Sequence, residues 1–178
     1  MPNPISVAML LIIIGISTGA LRVHAWPSQP PATGVFDDTR ALPEAAETAL
    51  SDSVASFRRS TDADAWVVAV TQFDSDASPR TQSRELRRLW SGDRPAVLLL
   101  FNRGTDSASI SVSPHFWDRY PAAELIAALQ IAGGRLSQRA EPLESRIAES
   151  MTGLMNRITK LETIRTKQSQ GLTPSEFR

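Results

Sequence analysis

The sequence contains no cysteine, which excludes disulfide staples, cysteine-based zinc sites, iron–sulfur clusters and thiol catalysis. Histidine is nearly as scarce: His24 and His115 are the only two, so a histidine-rich metal centre is excluded as well. Charge of one sign is not in excess, because nineteen Lys and Arg balance nineteen Asp and Glu. That balance excludes a strongly basic nucleic-acid binder and a polyacidic tail protein. Glycine-rich phosphate cradles are missing too, since neither G-x-x-x-x-G-K nor G-x-G-x-x-G occurs, and no EF-hand loop or G-x-S-x-G elbow is present. Chemistry, if there is any, has to come from carboxylates, hydroxyls and arginine.

What is present is a 178-residue chain with 42% hydrophobic and 21% charged residues, room for one ordinary domain and some extra length. The neutral total hides an uneven layout. Residues 35–76 carry nine acids against Arg40, Arg58 and Arg59, a net −6, whereas residues 77–178 carry a net +5. An acidic first half of this kind attracts a divalent cation or is neutralised by the basic remainder.

The longest apolar run is Ile5 to Leu21, seventeen residues without a charge. It is short for a membrane span, and its core from Val7 to Ile16 fits a signal-peptide h-region. Val23-His24-Ala25 has the small-x-small character of a cleavage site. Residues 1–25 are therefore expected to be a signal peptide or an uncleaved membrane anchor. The expected location is outside the cytoplasm: periplasm, lumen or cell surface. Residues 26–34 (WPSQPPATG) read as a proline-rich linker.

Beyond it the pattern alternates. Pro43, Glu44 and Glu47 open a helix whose apolar positions are Ala45, Ala49, Leu50, Val54 and Phe57. Trp66 to Val70 and Ala96 to Phe101 are continuous apolar runs that predict buried strands. Between them a helix over 79–90 is expected to bury Leu86, Leu89 and Trp90 and to expose Arg80, Arg84, Arg87 and Arg88. Asn102 to Asp106 has hairpin-turn chemistry and Ser109 to Ser113 alternates as a half-buried strand does. Helices are predicted at about 121–132 and 141–165, separated by Gly133-Gly134. Ile147, Met151, Leu154, Ile158 and Leu161 form an apolar seam for core packing or for a partner helix. The set predicts an α/β fold, a three-layer α/β/α sandwich with a mixed, mainly parallel sheet and one β-hairpin.

The stretch PPATGVFDDTRALP at 30–43, followed by WVVAV, a helix ending in Leu89-Trp90, AVLLLF and ISVS, resembles the TPM domain family. Its domains are exported; they include thylakoid-lumen phosphatase-like proteins, photosystem repair factors and an acetylcholine-receptor modulator. The resemblance places a TPM-like domain at 35–165, with 166–178 as a flexible tail. It implies an α/β/α sandwich, acid-phosphatase-like activity in some members and calcium binding in several, with others acting as accessory modules at membrane complexes. Asp37 and Asp38 fall on the family's acidic pair, and Asp93 falls near its loop before the central strand; these three are the candidate metal ligands for calcium or another divalent cation. The chain departs from the family at Pro95-Ala96 and at Ser113-Pro114-His115, where glycines are usual, which puts an intact ligand site in doubt.

The remaining candidates each have a plainer reading. Asp37-Asp38 repel each other unless a cation or arginine intervenes, or one of them caps the first helix. Asp62-x-Asp64 reads as turn chemistry. Asp74-Ser75-Asp76 looks like the nucleophile of haloacid-dehalogenase-type phosphatases, but Thr71-Gln72-Phe73 separate it from the strand, so the pair reads as loop residues or outer metal ligands. His115 and Asp118 form an acid–base pair only if a serine joins them. The four arginines of 80–88 grip a phosphate or an acidic lipid, or line a solvated face. Two functions follow: a binding or accessory module at a membrane complex with a membrane-protein partner, calcium-dependent where it keeps the family's manner, or a weak metal-dependent acid phosphatase on phosphomonoesters. A structural piece that binds nothing is the third.

Overall fold

The computed structural model describes residues 27–71 and 77–171. The apolar run at 5–21, Trp26, the Asp74/Asp76 pair and residues 172–178 lie outside the described residues. No described helix is long and apolar enough to cross a membrane.

Four strands form one sheet in the order β1 (Val35–Asp37), β2 (Asp64–Val70), β3 (Ala96–Asn102), β4 (Ser107–Val112). β1, β2 and β3 are parallel and β4 closes an antiparallel hairpin with β3. β2 is apolar throughout its buried length and β3 from Ala96 to Phe101, with only the terminal Asn102 polar, as strands covered on both faces must be. Their side chains alternate between two cores. Ala65, Val67, Val97, Leu99 and Phe101 face the larger one, which they share with α1 (Glu44–Thr61), α3 (Pro114–Arg119), α4 (Ala122–Leu136) and α5 (Leu143–Ser169). Trp66, Val68, Val70, Ala96, Leu98 and Leu100 face the smaller one, closed by Leu86 and Trp90 of α2 (Pro79–Ser91). Trp66 and Trp90 meet edge to face with ring centroids 5.7 Å apart. This is the three-layer α/β/α sandwich with a mixed sheet and one hairpin.

The strands succeed one another across the sheet in one direction, yet α1 and α2 cover opposite faces. The two crossovers are therefore of opposite hand, and one is the uncommon left-handed kind. α1 follows β1 onto one face and α2 follows β2 onto the other, so the carboxyl ends of β1 and β2 mark the point where successive connections change face.

Several sequence expectations change in detail. The helix expected to stop before Gly133-Gly134 runs through both to Leu136, because Leu125, Ala128, Ala132 and Leu136 all bury against the core. Packing outweighs a glycine penalty of about 1 kcal/mol each. The last helix continues to Ser169, and all five residues of its seam are buried against α1 and α4. A short helix, α3, follows β4 where none was predicted. On α2 the buried set is Gln82, Ser83, Leu86, Arg87, Trp90 and Ser91, so Arg87 is covered while Leu89 stands 57% exposed. In α1, Ala45 and Ala49 are exposed and Thr61 is buried. Part of the proline-rich segment is fastened to the body: Trp90 Nε1 donates to Pro27 O at 2.8 Å and Arg58 donates to Ala32 O at 3.2 Å.

Candidate functional site

In open α/β sheets ligands settle outside the carboxyl ends of strands where neighbouring connections leave to opposite faces. Here that place is the end of β1 and β2, and Asp37 and Asp38 stand at it. β1 ends at Asp37 opposite Ala69, and Asp38 N donates to Ala69 O at 3.1 Å. The Asp37 carboxylate is occupied in holding its own loop. Oδ1 accepts from Thr39 N at 2.9 Å and Thr39 Oγ1 at 2.6 Å, and Oδ2 accepts from Leu42 N at 2.7 Å. Three donors fold the chain back toward α1, an Asp-centred turn that buries Thr39 and Leu42. Asp38 is exposed.

Arginine also reaches this edge. After β3, Arg103 N donates to Val70 O and Gly104 N to Thr71 O, which tucks the hairpin turn against the end of β2. From there the Arg103 guanidinium crosses to Thr39 O at 2.6 Å. The turn after β3 is thereby tied to the end of β2 by two backbone amides and to Thr39, next to Asp38, by the Arg103 guanidinium.

Asp93 is not brought to them. It lies in the exposed turn between α2 and β3, before Ala96, which pairs with Asp64 at the amino end of β2. Five residues of parallel strand separate that row from the Asp37–Ala69 row, about 16 Å at the usual rise. One cation cannot span them. His115 and Asp118 sit in α3, after β4 has returned to this same amino end, so they too are remote from the acidic pair. Among the described residues no hydroxyl is hydrogen-bonded to a histidine. Asp62 terminates α1 in the left-handed conformation, φ 51°, and Asp64 pairs with Arg58 at 3.5 Å and Arg94 at 3.3 Å, which is structural work.

Calcium takes six to eight oxygen ligands. Of about four acceptor positions on Asp37, three are filled, and no group of three or more acids and histidines converges anywhere among the described residues. Those residues by themselves do not fit a calcium cage. The family departures do not touch the acidic pair either. Pro95 O accepts from Asp64 N at 2.8 Å, and Ser113 exchanges bonds with Ala96 at 2.9 and 3.1 Å, all at the opposite end of the sheet.

One group of polar residues escaped the sequence reading. Tyr120 stacks on Phe116 and donates to Glu162 Oε2 at 2.8 Å, and Glu162 also accepts from Arg165 at 2.6 Å. Burial, then Glu162, pushes the Tyr120 phenol up to about 12, and Arg165 foremost holds Glu162 below the usual carboxylate range. The three residues link the α3–α4 corner to α5. No motif spacing reveals them, because 42 residues separate the partners.

The TPM domain family model matches residues 35–130, more than half of the chain. Among solved structures, the N-terminal domain of the cg2496 protein from Corynebacterium glutamicum is similar at 20% identity and a TM-score of 0.56, over 71% of this chain and 78% of that one. The N-terminal domain of a protein from P. gingivalis is similar at 15% identity and a TM-score of 0.55, over 79% of this chain and 85% of that one. A search of the curated proteins found no match. Identities this low speak for the fold alone. The family match, the ordered motifs and the sheet agree: the chain belongs to the TPM domain family.

Proposed function

We propose that this TPM domain is an exported or membrane-anchored accessory module that binds a protein partner at a membrane complex and does not turn over a small substrate. The observation that carries the reading is that the charged groups at the strand ends are already engaged by the chain's own backbone and side chains. Asp37 accepts three bonds from Thr39 and Leu42, Arg103 Nη1 donates to Thr39 O, and the histidine that a hydrolase would recruit lies at the other end of the sheet. Export rests on the apolar segment at 5–21.

The test is hydrolysis of p-nitrophenyl phosphate by the purified chain with and without calcium. No turnover above the uncatalysed rate is expected, and robust metal-dependent turnover overturns the reading in favour of the phosphatase. A calcium titration by calorimetry, beside Asp38→Asn, runs in parallel. Saturable binding that Asp38→Asn abolishes adds cation control to the accessory role; no binding at millimolar calcium leaves partner binding as the whole of it.

A further inference from the structure

The sheet ends at β4, and the side of β4 away from β3 pairs with no strand among the described residues. Protein edges are usually guarded by charge, proline, a bulge or a covering segment. This one has none of the first three: it reads Ser-Ala-Ser-Ile-Ser-Val, and its register with β3 runs unbroken over all six residues. A trough runs along it instead, made of two recesses of about 500 and about 460 Å³ that share Ile110 and Leu129.

The two sides of the trough differ in chemistry. On the α2 side, Ser109 Oγ lies 2.9 Å from Ser83 Oγ, and Arg87 Nε donates to Ser111 Oγ at 3.0 Å. Four residues along α2 thus keep step with two along β4, about 6 Å against about 6.7 Å. The same four-residue step carries Arg80, Arg84 and Arg88, all exposed and without an ion pair among the described residues. Arg87, only 4% exposed, has no carboxylate partner there, and burial with Arg88 and Arg84 beside it holds its pKa below the ordinary value. Asp118 is the one acid lining this side. On the α4 side, Ala108 and Ile110 face Leu129 and Leu136, and Asp106 at the end is paired with Arg139 and Arg146.

We propose that the free edge of β4 takes up an extended segment of an acidic partner as a fifth strand. Carboxylates at alternate positions face the α2 arginines, and apolar side chains at the intervening positions face Leu129 and Leu136. The pitch is the reason for a strand and not a point anion: alternate side chains of an extended peptide repeat at the spacing of the arginine row. Backbone pairing supplies the affinity, and the two unlike walls supply the selectivity. The proposal rests on the accessory reading and names the class of partner.

The experiment is fluorescence anisotropy with the full chain and fluorescein-labelled octapeptides. One alternates glutamate and valine, one has the same composition in two blocks, and one alternates lysine and valine. The alternating acidic peptide is expected to bind at least tenfold tighter than either control. Arg84→Glu with Arg88→Glu, both at exposed positions and checked for folding by circular dichroism, is expected to weaken it at least tenfold. Hydrogen exchange of the Ser107–Val112 amides is expected to slow when it binds. Equal binding of the two acidic peptides, indifference to the charge reversal, or unchanged exchange in β4 overturns the proposal. So does a dimer in sedimentation that the peptide displaces, which assigns the edge to a second copy. Equally tight, equally reversal-sensitive binding to phosphatidylglycerol vesicles assigns the arginines to a lipid surface and also overturns it. Phosphomonoester turnover, by contrast, overturns the accessory reading and leaves these peptide measurements interpretable.

Discussion

Asp37 holds the turn that joins β1 to α1. It accepts three hydrogen bonds that close the β1–α1 turn, and two of them come from backbone amides with no other acceptor among the described residues. Asp37→Ala is expected to cost about 2–3 kcal/mol, since charge-assisted bonds carry more than neutral ones and Thr39 and Leu42 lose their anchor. Urea unfolding measures it. Tyr120 and Glu162 make a second expectation, with opposite signs at the two ends of the pH scale. The fold favours the neutral phenol, so that contribution is intact below pH 10 and is lost as pH rises through about 12. Glu162 is held ionised by Arg165 and Tyr120, so its contribution is intact above pH 4.5 and is lost as pH falls through its folded value. Urea midpoints across pH are therefore expected to decline at both ends, and Tyr120→Phe is expected to flatten the alkaline decline and to weaken the acid one.

At the scale of the element, proline is the punctuation. The five described helices start at Pro43, Pro79, Pro114, Pro121 and Pro142, each either the residue before the helix or its first. A fixed φ and a missing N–H cost nothing there. Helix starts were accordingly more legible than helix ends. Gly133-Gly134 misled because an isolated helix would stop there, whereas tertiary packing of Ala132 and Leu136 carries the helix through. Nothing lies within 4 Å of a Cβ added at Gly134, so Gly134→Ala is expected to stabilise the protein by about 0.5–1 kcal/mol. Gly34 is the opposite case: its φ is +79°, and an added Cβ would meet Val54 Cγ1 at 2.5 Å. Gly34→Ala is expected to lower the melting temperature, and a pair of thermal scans checks both variants.

For the whole molecule, the family match and the folding unit do not coincide. The match ends at residue 130, but the larger core takes Ile147, Met151, Leu154, Met155, Ile158 and Leu161 from α5. A fragment ending at Leu136 is expected to expose Leu50, Val54 and Phe57 of α1, to lose near-ultraviolet circular dichroism and to bind a hydrophobic dye. Met151→Ala in the full chain is expected to cost about 2–5 kcal/mol, the range for a buried large-to-small change. A fragment that keeps a cooperative transition would show that α5 is an ornament to the core and not part of it.

The sequence by itself determined most of the elements and the family. Apolar runs too long to alternate demanded strands covered on both faces, proline and acids marked helix starts, and PPATGVFDDTRALP carried the family resemblance, while the strand at Val35–Asp37 showed only in the structure. It also brought Asp37 and Asp38 to notice, because two adjacent carboxylates need a reason. It placed Asp93 with them only by analogy, and linear spacing says nothing about which end of a sheet a loop occupies. The tertiary structure decided that. Parallel pairing puts the connections before β2 and β3 at one end and those after β1, β2 and β3 at the other, and antiparallel β4 returns the chain to the first end, so Asp93 and His115 both part from Asp37. It also decided which face each helix covers, and with that the change of face after β1 and β2 and the turning of Arg87 inward beside β4, whose outer edge pairs with no strand among the described residues. Those choices depend on how whole layers pack, a property of contacts between residues far apart in the chain.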